Sequence, residues 1–180
     1  MNKNSLHKEL FSNLKTTGAI TFSSKSLVNK MLSYADFTGA KTIVELGGGD
    51  GSITRGILER MDPDAVLYVF EISQAFCDAL EKEFVSENVH IICDSASNIE
   101  NYLAGGKADL ILSSLPFSLI AREEREKIYE KSKTNLSVQG KFIQICYSYL
   151  LRFQFAKYFP HIHTSFTLKN FPPAFIMICN

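Results

Sequence analysis

The chain carries no surplus of either charge: 19 Lys and Arg stand against 19 Asp and Glu over 180 residues. Proteins that grip nucleic acid through its phosphates normally carry a basic excess, so this composition argues against such a partner. No apolar run reaches the ~18 residues of a membrane span, because Ser, Gln or Lys interrupts each candidate. The N-terminus also lacks the apolar stretch of a secretory signal, and the expectation is a cytoplasmic protein. Cysteine is scarce and scattered. Cys77, Cys93, Cys146 and Cys179 form no Cys-x-x-Cys pair, and three lie within apolar runs. They read as reduced core residues, not metal ligands. His161 and His163 would share a strand face with no third ligand nearby, so no metal site is expected.

What is present is the make-up of one soluble domain, with 46% hydrophobic and 21% charged residues in a chain long enough to bury a full core. From residue 40 onward, strand-like and helix-like segments alternate, the signature of a doubly wound α/β sheet. Strands are expected at 41–46, at a run ending in Glu71, at 89–94, at 108–113, and at 141–147, the last opened by Gly140. Between them, Ile53, Ile57, Leu58 and Met61 mark one helix face, and Phe76, Leu80 and Phe84 another. A short helix near 96–103 and a charged helix at 121–134 follow. The tail reads as a short helix at 150–158 and a hairpin of strands at 162–168 and 174–179. The whole is expected to divide into an N-terminal helical extension, 1–40, and a sheet domain, 41–180.

The most informative stretch is Ile43-Val44-Glu45-Leu46-Gly47-Gly48-Gly49-Asp50-Gly51. An apolar strand ends in an acid, and Gly47, Gly49 and Gly51 follow at alternate positions. Glycines at a strand-to-helix turn permit positive φ and close approach of a ligand to the backbone. A dinucleotide fingerprint would need a third glycine where Ser52 or Thr54 stands, and a phosphate-binding P-loop would need a Lys that is missing. Two more apolar runs also end in acids, Glu71 and Asp94. Glu71 lies 20 residues beyond Gly51, a separation that suits the ribose hydroxyls of an adenosine.

Glycine loop, Glu71 and Asp94 in this order resemble the motifs of class I S-adenosylmethionine-dependent methyltransferases. The resemblance implies a Rossmann-like seven-stranded sheet, mostly parallel, with a C-terminal antiparallel hairpin. It implies S-adenosylmethionine as cofactor, with Glu45 facing the ammonium and Gly47, Gly49 and Gly51 cradling the amino-acid end. Glu71 would bind the ribose, Asp94 and Ser95 would contact the adenine, and Ile72 and Ser113 complete the cofactor set.

The loop after the fourth strand, Ser113-Ser114-Leu115-Pro116-Phe117, would then receive the methyl acceptor. Adenine amino-methylases carry Asn or Asp where Ser114 stands. A second resemblance covers the chain from about Phe11 onward, to bacterial phospholipid N-methyltransferases. It rests on Gly18-Ala19-Ile20 with Ser23-Ser24, on the Ser-x-Leu-Pro loop, on Gln144-Ile145-Cys146-Tyr147, and on Asn170-Phe171-Pro172-Pro173-Ala174. It implies an amine on a phospholipid headgroup, such as phosphatidylethanolamine, as acceptor. Ser114, the carbonyls of Leu115 and Pro116, or Tyr147 would accept a hydrogen bond from that amine. Phe117 and Tyr147 would hold the methylated cation by cation–π contact. The alternatives are a relative of the ribosomal RNA adenine dimethyltransferases, a methyltransferase of a small soluble amine, and a non-catalytic cofactor-binding module. Leu6, Leu10, Phe11 and Leu14 form an apolar stripe flanked by Lys3, Lys8 and Lys15. This segment, 3–15, either caps the core or makes a weak peripheral contact with the inner membrane face.

Overall fold

The computed structural model describes residues 23–180. The amphipathic stripe at 3–15 and the Gly18-Ala19-Ile20 link therefore lie outside the described residues. Helix α1 (Lys25–Leu32) opens the described chain, capped by Ser24, whose hydroxyl accepts the Leu27 N–H at 3.1 Å. Its buried side chains Leu27, Val28, Met31 and Leu32 make it part of the core. Then follow β1 (Thr42–Leu46), α2 (Ser52–Leu58), β2 (Val66–Phe70), α3 (Gln74–Glu83) and β3 (Val89–Ile92). A 3-10 turn (Ala96–Asn101) leads to β4 (Ala108–Ser113), α4 (Arg122–Asn135) and β5 (Leu136–Cys146). After a second 3-10 turn (Tyr149–Leu151) come α5 (Arg152–Phe155), β6 (Ile162–Thr167) and β7 (Ala174–Cys179).

The seven strands form one sheet in the order β3-β2-β1-β4-β5-β7-β6. All neighbours are parallel up to β5, and β7 runs antiparallel to both β5 and β6. Strand residues alternate between two cores because successive side chains point to opposite faces. Ile43, Leu67, Leu110 and Ile143 pack with α1 and α2. Val44, Ile111, Phe142 and Met177 pack on the other face with Ile128, Tyr129 and Phe155. Buried on both faces, these strands read as continuous apolar runs in the sequence.

Two elements differ from expectation. Strand β5 begins at Leu136, directly out of α4, not at Lys141. Leu136 pairs with Ala108, and the register shifts before Lys141 pairs with Leu110. Gly140 sits at that irregularity, where a Cβ would come within 2.9 Å of the Leu136 side chain. The glycine marks a bulge inside the strand, not its start. The tail helix is also shorter, a 3-10 turn followed by the four residues of α5. Among the cysteines, Cys77, Cys146 and Cys179 are buried, whereas Cys93 is exposed.

The segments Ser23-Ser24 and 170–174, far apart in sequence, meet in space. The Ser24 hydroxyl donates to the Lys169 carbonyl (2.9 Å), and the Ser24 N–H donates to Asn170 Oδ1 (3.1 Å). Asn170 in turn donates to the Pro172 carbonyl at 2.8 Å. Asn170 therefore fastens the start of α1 to the β6–β7 turn. No helix of the described residues is long and apolar enough to cross a membrane.

Candidate functional site

The chain leaves β1 toward β2 on one side, while β4 lies on the other. In open α/β sheets a ligand crevice forms where neighbouring connections diverge in this way, beyond the carboxyl ends of the strands. Here the walls of that crevice are the Glu45–Gly51 turn after β1 and the Ser113–Phe117 loop after β4. They are joined directly: the Ser114 N–H donates to the Leu46 carbonyl (3.1 Å), and the Ser114 hydroxyl donates to the Gly47 carbonyl (3.0 Å).

Glu45 occupies a core-facing position of β1 and is fully buried. One carboxylate oxygen accepts the Thr54 hydroxyl from the first turn of α2 at 2.7 Å. The other has no hydrogen-bond partner among the described residues. Burial pushes its pKa up to about 8, opposed by the Thr54 bond and aided by the nearby charges of Glu71 and Asp50. A buried carboxylate oxygen left unpaired costs free energy, and an ammonium group set against it would remove that cost. Gly47, Gly49 and Gly51 all take positive φ, at 87°, 51° and 75°, so the turn after Glu45 winds through left-handed backbone.

Glu71, 6% exposed at the end of β2, ties this turn to its neighbour. Its carboxylate accepts N–H bonds from Gly49 (2.9 Å), Ile72 (2.8 Å) and Ser73 (2.9 Å). Asp94 follows β3. Its oxygens accept from the Ser95 N–H (2.7 Å), the Asn98 amide (2.9 Å and 3.0 Å) and the Tyr102 hydroxyl (2.9 Å). Burial raises the Asp94 pKa, but the Asn98, Ser95 and Tyr102 bonds outweigh it and hold the group below the usual range. The Ser95 hydroxyl accepts the Ser97 N–H and contacts Glu124 of α4, while Ile72 is 40% exposed beside Glu71.

On the other wall, Ser113 is buried and accepts the Leu115 N–H at 3.3 Å, and Pro116 is exposed. The Leu115 carbonyl is already engaged by the Phe117 N–H (2.9 Å) and by Gln144 Nε2 (3.0 Å). The Pro116 carbonyl accepts the Leu119 N–H at 2.8 Å. Phe117 does not face the crevice. Its ring is 1% exposed and packs against Tyr129 and Phe155, with centroids at 4.6 Å and 5.6 Å. Apolar burial outweighs display of the ring, so the cation–π contact expected of Phe117 has no surface to act through. Tyr147, just past β5, is 42% exposed.

A family model described as a methyltransferase domain matches residues 43–140, more than half of the chain. The chain belongs to this methyltransferase family. It is 27% identical over 145 residues to an ornithine lipid N-methyltransferase of Singulisphaera acidiphila, covering 78% of this chain and 76% of that one. It is 28% identical over 105 residues to a probable ribosomal RNA small subunit methyltransferase A of Methanococcus maripaludis, but there covers 58% of this chain and 38% of the relative. In fold it is similar to a TehB-like SAM-dependent methyltransferase from Corynebacterium glutamicum, with a TM-score of 0.62 at 12% identity, covering 98% and 96% of the two chains. The protein is a class I S-adenosylmethionine-dependent methyltransferase, with S-adenosylmethionine as its cofactor.

Around this crevice the structure shows side-chain contacts that the motifs did not foretell. Thr54, noted in the sequence only as the absent third glycine, is the partner of Glu45. Gln144, fully buried, reaches from β5 to the Leu115 carbonyl and also contacts the Ile145 carbonyl. Arg125 donates to the Phe117 carbonyl at 3.0 Å. The signal for Gln144 was a polar residue inside an apolar strand. Arg125, one charge among many on α4, gave none.

Proposed function

We propose that this methyltransferase transfers the methyl group to the amine of a lipid headgroup such as that of phosphatidylethanolamine. The observation that carries N-methylation is the bond from Ser114 to the Gly47 carbonyl at 3.0 Å. Because the hydroxyl proton is spent there, the Ser114 oxygen meets the crevice as an acceptor, which is what an incoming amine N–H requires. S-adenosylmethionine, when bound, supplies a methyl group activated on a sulfonium. In this reading Glu45 holds the cofactor ammonium, Gly47, Gly49 and Gly51 admit its amino-acid end, Glu71 and Ile72 bind the ribose, and Asp94 and Ser95 meet the adenine. Ser113 completes that set. The division into an extension, 1–40, and a cofactor-binding domain, 41–180, belongs to the same reading.

The protein's own contribution to the transfer is positioning and desolvation. Aligning donor and acceptor supplies much of the rate in such a displacement. A primary ammonium titrates at about 10 in water, and removal from water lowers that value, exposing the lone pair. Support for a lipid-borne amine comes from the apolar side chains exposed past β5. Tyr149, Leu150 and Phe153 are 45%, 70% and 60% exposed, and they follow Tyr147 directly. Likeness to the ornithine lipid enzyme over most of both chains points the same way.

Incubation with labelled S-adenosylmethionine and either total lipid or ribosomal RNA tests this reading. Label in the lipid amine fraction is expected, and label in RNA alone overturns it. Flotation with anionic vesicles, with and without residues 1–16, tests the peripheral contact of 3–15. We further expect Tyr147→Ala to lower turnover roughly 5- to 30-fold while leaving cofactor affinity within about twofold, since loss of one cation–π and packing contact near the acceptor costs on the order of 1–2 kcal/mol. Equal loss of cofactor binding, measured by calorimetry, would reject a role at the acceptor.

A further inference from the structure

A cavity of about 260 Å³ lies between α4 and the α5 segment. Arg122, Arg125, Lys157 and Gln154 line it, together with Glu126 and the ring of Tyr129. Glu126 is paired with Arg122 at 2.9 Å. Among the described residues, neither Arg125 nor Lys157 forms an ion pair with a carboxylate. The cavity therefore presents more positive than negative charge, on a protein whose overall charge is zero.

Tyr129 supplies an independent sign of a ligand. The side chain is 1% exposed, and its hydroxyl has no hydrogen-bond partner among the described residues. Burial pushes the phenol pKa up, opposed by the neighbouring Arg125 guanidinium, so the group remains a protonated donor at neutral pH. A buried donor left unpaired is costly, and an oxyanion held by the adjacent cations would satisfy it. One residue of the cavity lining is also bonded to the acceptor loop. Arg125 holds the Phe117 carbonyl at 3.0 Å, three residues beyond Ser114.

We propose that this cavity is an oxyanion subsite that seats the acidic group of the methyl acceptor, a phosphodiester or a carboxylate borne on the same molecule as the amine. Arg125 and Lys157 supply the charge, and the Tyr129 hydroxyl donates to the anion. The proposal rests on the lipid-amine reading for the identity of the acceptor, but the anion site itself can be tested without any methyl transfer.

The test is binding of soluble probes to the full chain, followed by nuclear magnetic resonance of the Arg Nε and Lys Nζ signals. Glycerophosphoethanolamine presents the phosphodiester, Nα-acetylornithine the carboxylate, and ethanolamine neither. We expect the acidic probes to move the Arg125 and Lys157 signals and ethanolamine to leave them in place. Tyr129→Phe and Lys157→Gln should each weaken that binding about tenfold, the loss of one charge-assisted hydrogen bond. Tyr129→Phe should leave the thermal midpoint unchanged or raised, because its hydroxyl bonds to no group among the described residues. The tighter acidic probe names the source, a phospholipid or an amino-acid-derived lipid, and either one supports the subsite. Acidic probes that leave the signals unmoved, or variants that bind them as the wild type does, overturn it. Binding of a probe by a protein that labels no lipid would keep the subsite and sink the lipid reading. Labelling of lipid by a protein that binds neither probe would sink the subsite alone.

Discussion

Replacing Glu45 with Gln will weaken affinity for S-adenosylmethionine while making the empty protein more stable above pH 8. Both effects come from one buried oxygen. In the empty site the Glu45 carboxyl has its pKa raised from 4.5 to about 8, chiefly by burial. Between those values the unfolded chain has released its proton while the folded chain keeps it. Stability then falls as pH rises from about 4.5 to about 8, and is flat outside that window. The total is on the order of a few kcal/mol. Glu45→Gln has no proton to release at this position, so its denaturation midpoint should stay level between pH 5 and pH 8, below the range where the buried Cys146 and Cys179 thiols begin to matter. The same substitution removes the negative charge that an ammonium would meet. A hydrogen bond to a charged group is worth about 1.5–3 kcal/mol, more where burial excludes water, so affinity should fall roughly 10- to 100-fold or more. Urea denaturation at the two pH values checks the first effect and calorimetry the second. A wild-type midpoint that does not fall with pH would remove the basis for both.

Gly51→Ala should cost about 2–5 kcal/mol of folding stability and take the cofactor site with it. Gly51 is the N-cap of α2 at φ 75°, a conformation that costs an L-residue roughly 1–2 kcal/mol. An added Cβ would also stand 2.7 Å and 2.9 Å from the Phe84 ring and 3.2 Å from Leu80. A ring on α3's end cannot turn aside as a flexible chain end can, and overpacking of this kind costs about 1–3 kcal/mol more. Gly49→Ala provides the comparison. Its φ is also positive, at 51°, but its Cβ would meet no atom within 4 Å, so only the backbone cost of roughly 1–2 kcal/mol applies. Urea midpoints for the two variants should differ accordingly, and equal losses would show that the Phe84 contact does not matter.

How far the site could be read in advance depended on whether a residue's job was local. Glu45, Glu71 and Asp94 each close an apolar run, so strand ends and acids appear together in the sequence, and the structure sets all three at the carboxyl edge of one sheet. The run at 108–113 is matched residue for residue by β4. Gly140 was legible as a glycine but not as a bulge, because a break and an irregularity leave the same mark. Phe117 looked like a binding aromatic beside a proline, yet its ring belongs to the cluster of Tyr129 and Phe155, residues 12 and 38 positions later. Asn170 and Ser24, quoted as separate parts of one family resemblance, turn out to be bonded to each other.

By itself the sequence determined the alternating sheet, the order of its glycine turn and acids, and with them the methyl donor. Those are properties of strand length, side-chain alternation and backbone freedom within a few residues. Tertiary structure alone decided which oxygens are spent and which remain. The Ser114 proton is committed to the Gly47 carbonyl, one oxygen of Glu45 to Thr54, and the Tyr129 hydroxyl to no group among the described residues. Those commitments are made between segments that meet only in the folded chain, where exclusion of water makes each bond, and each missing bond, count.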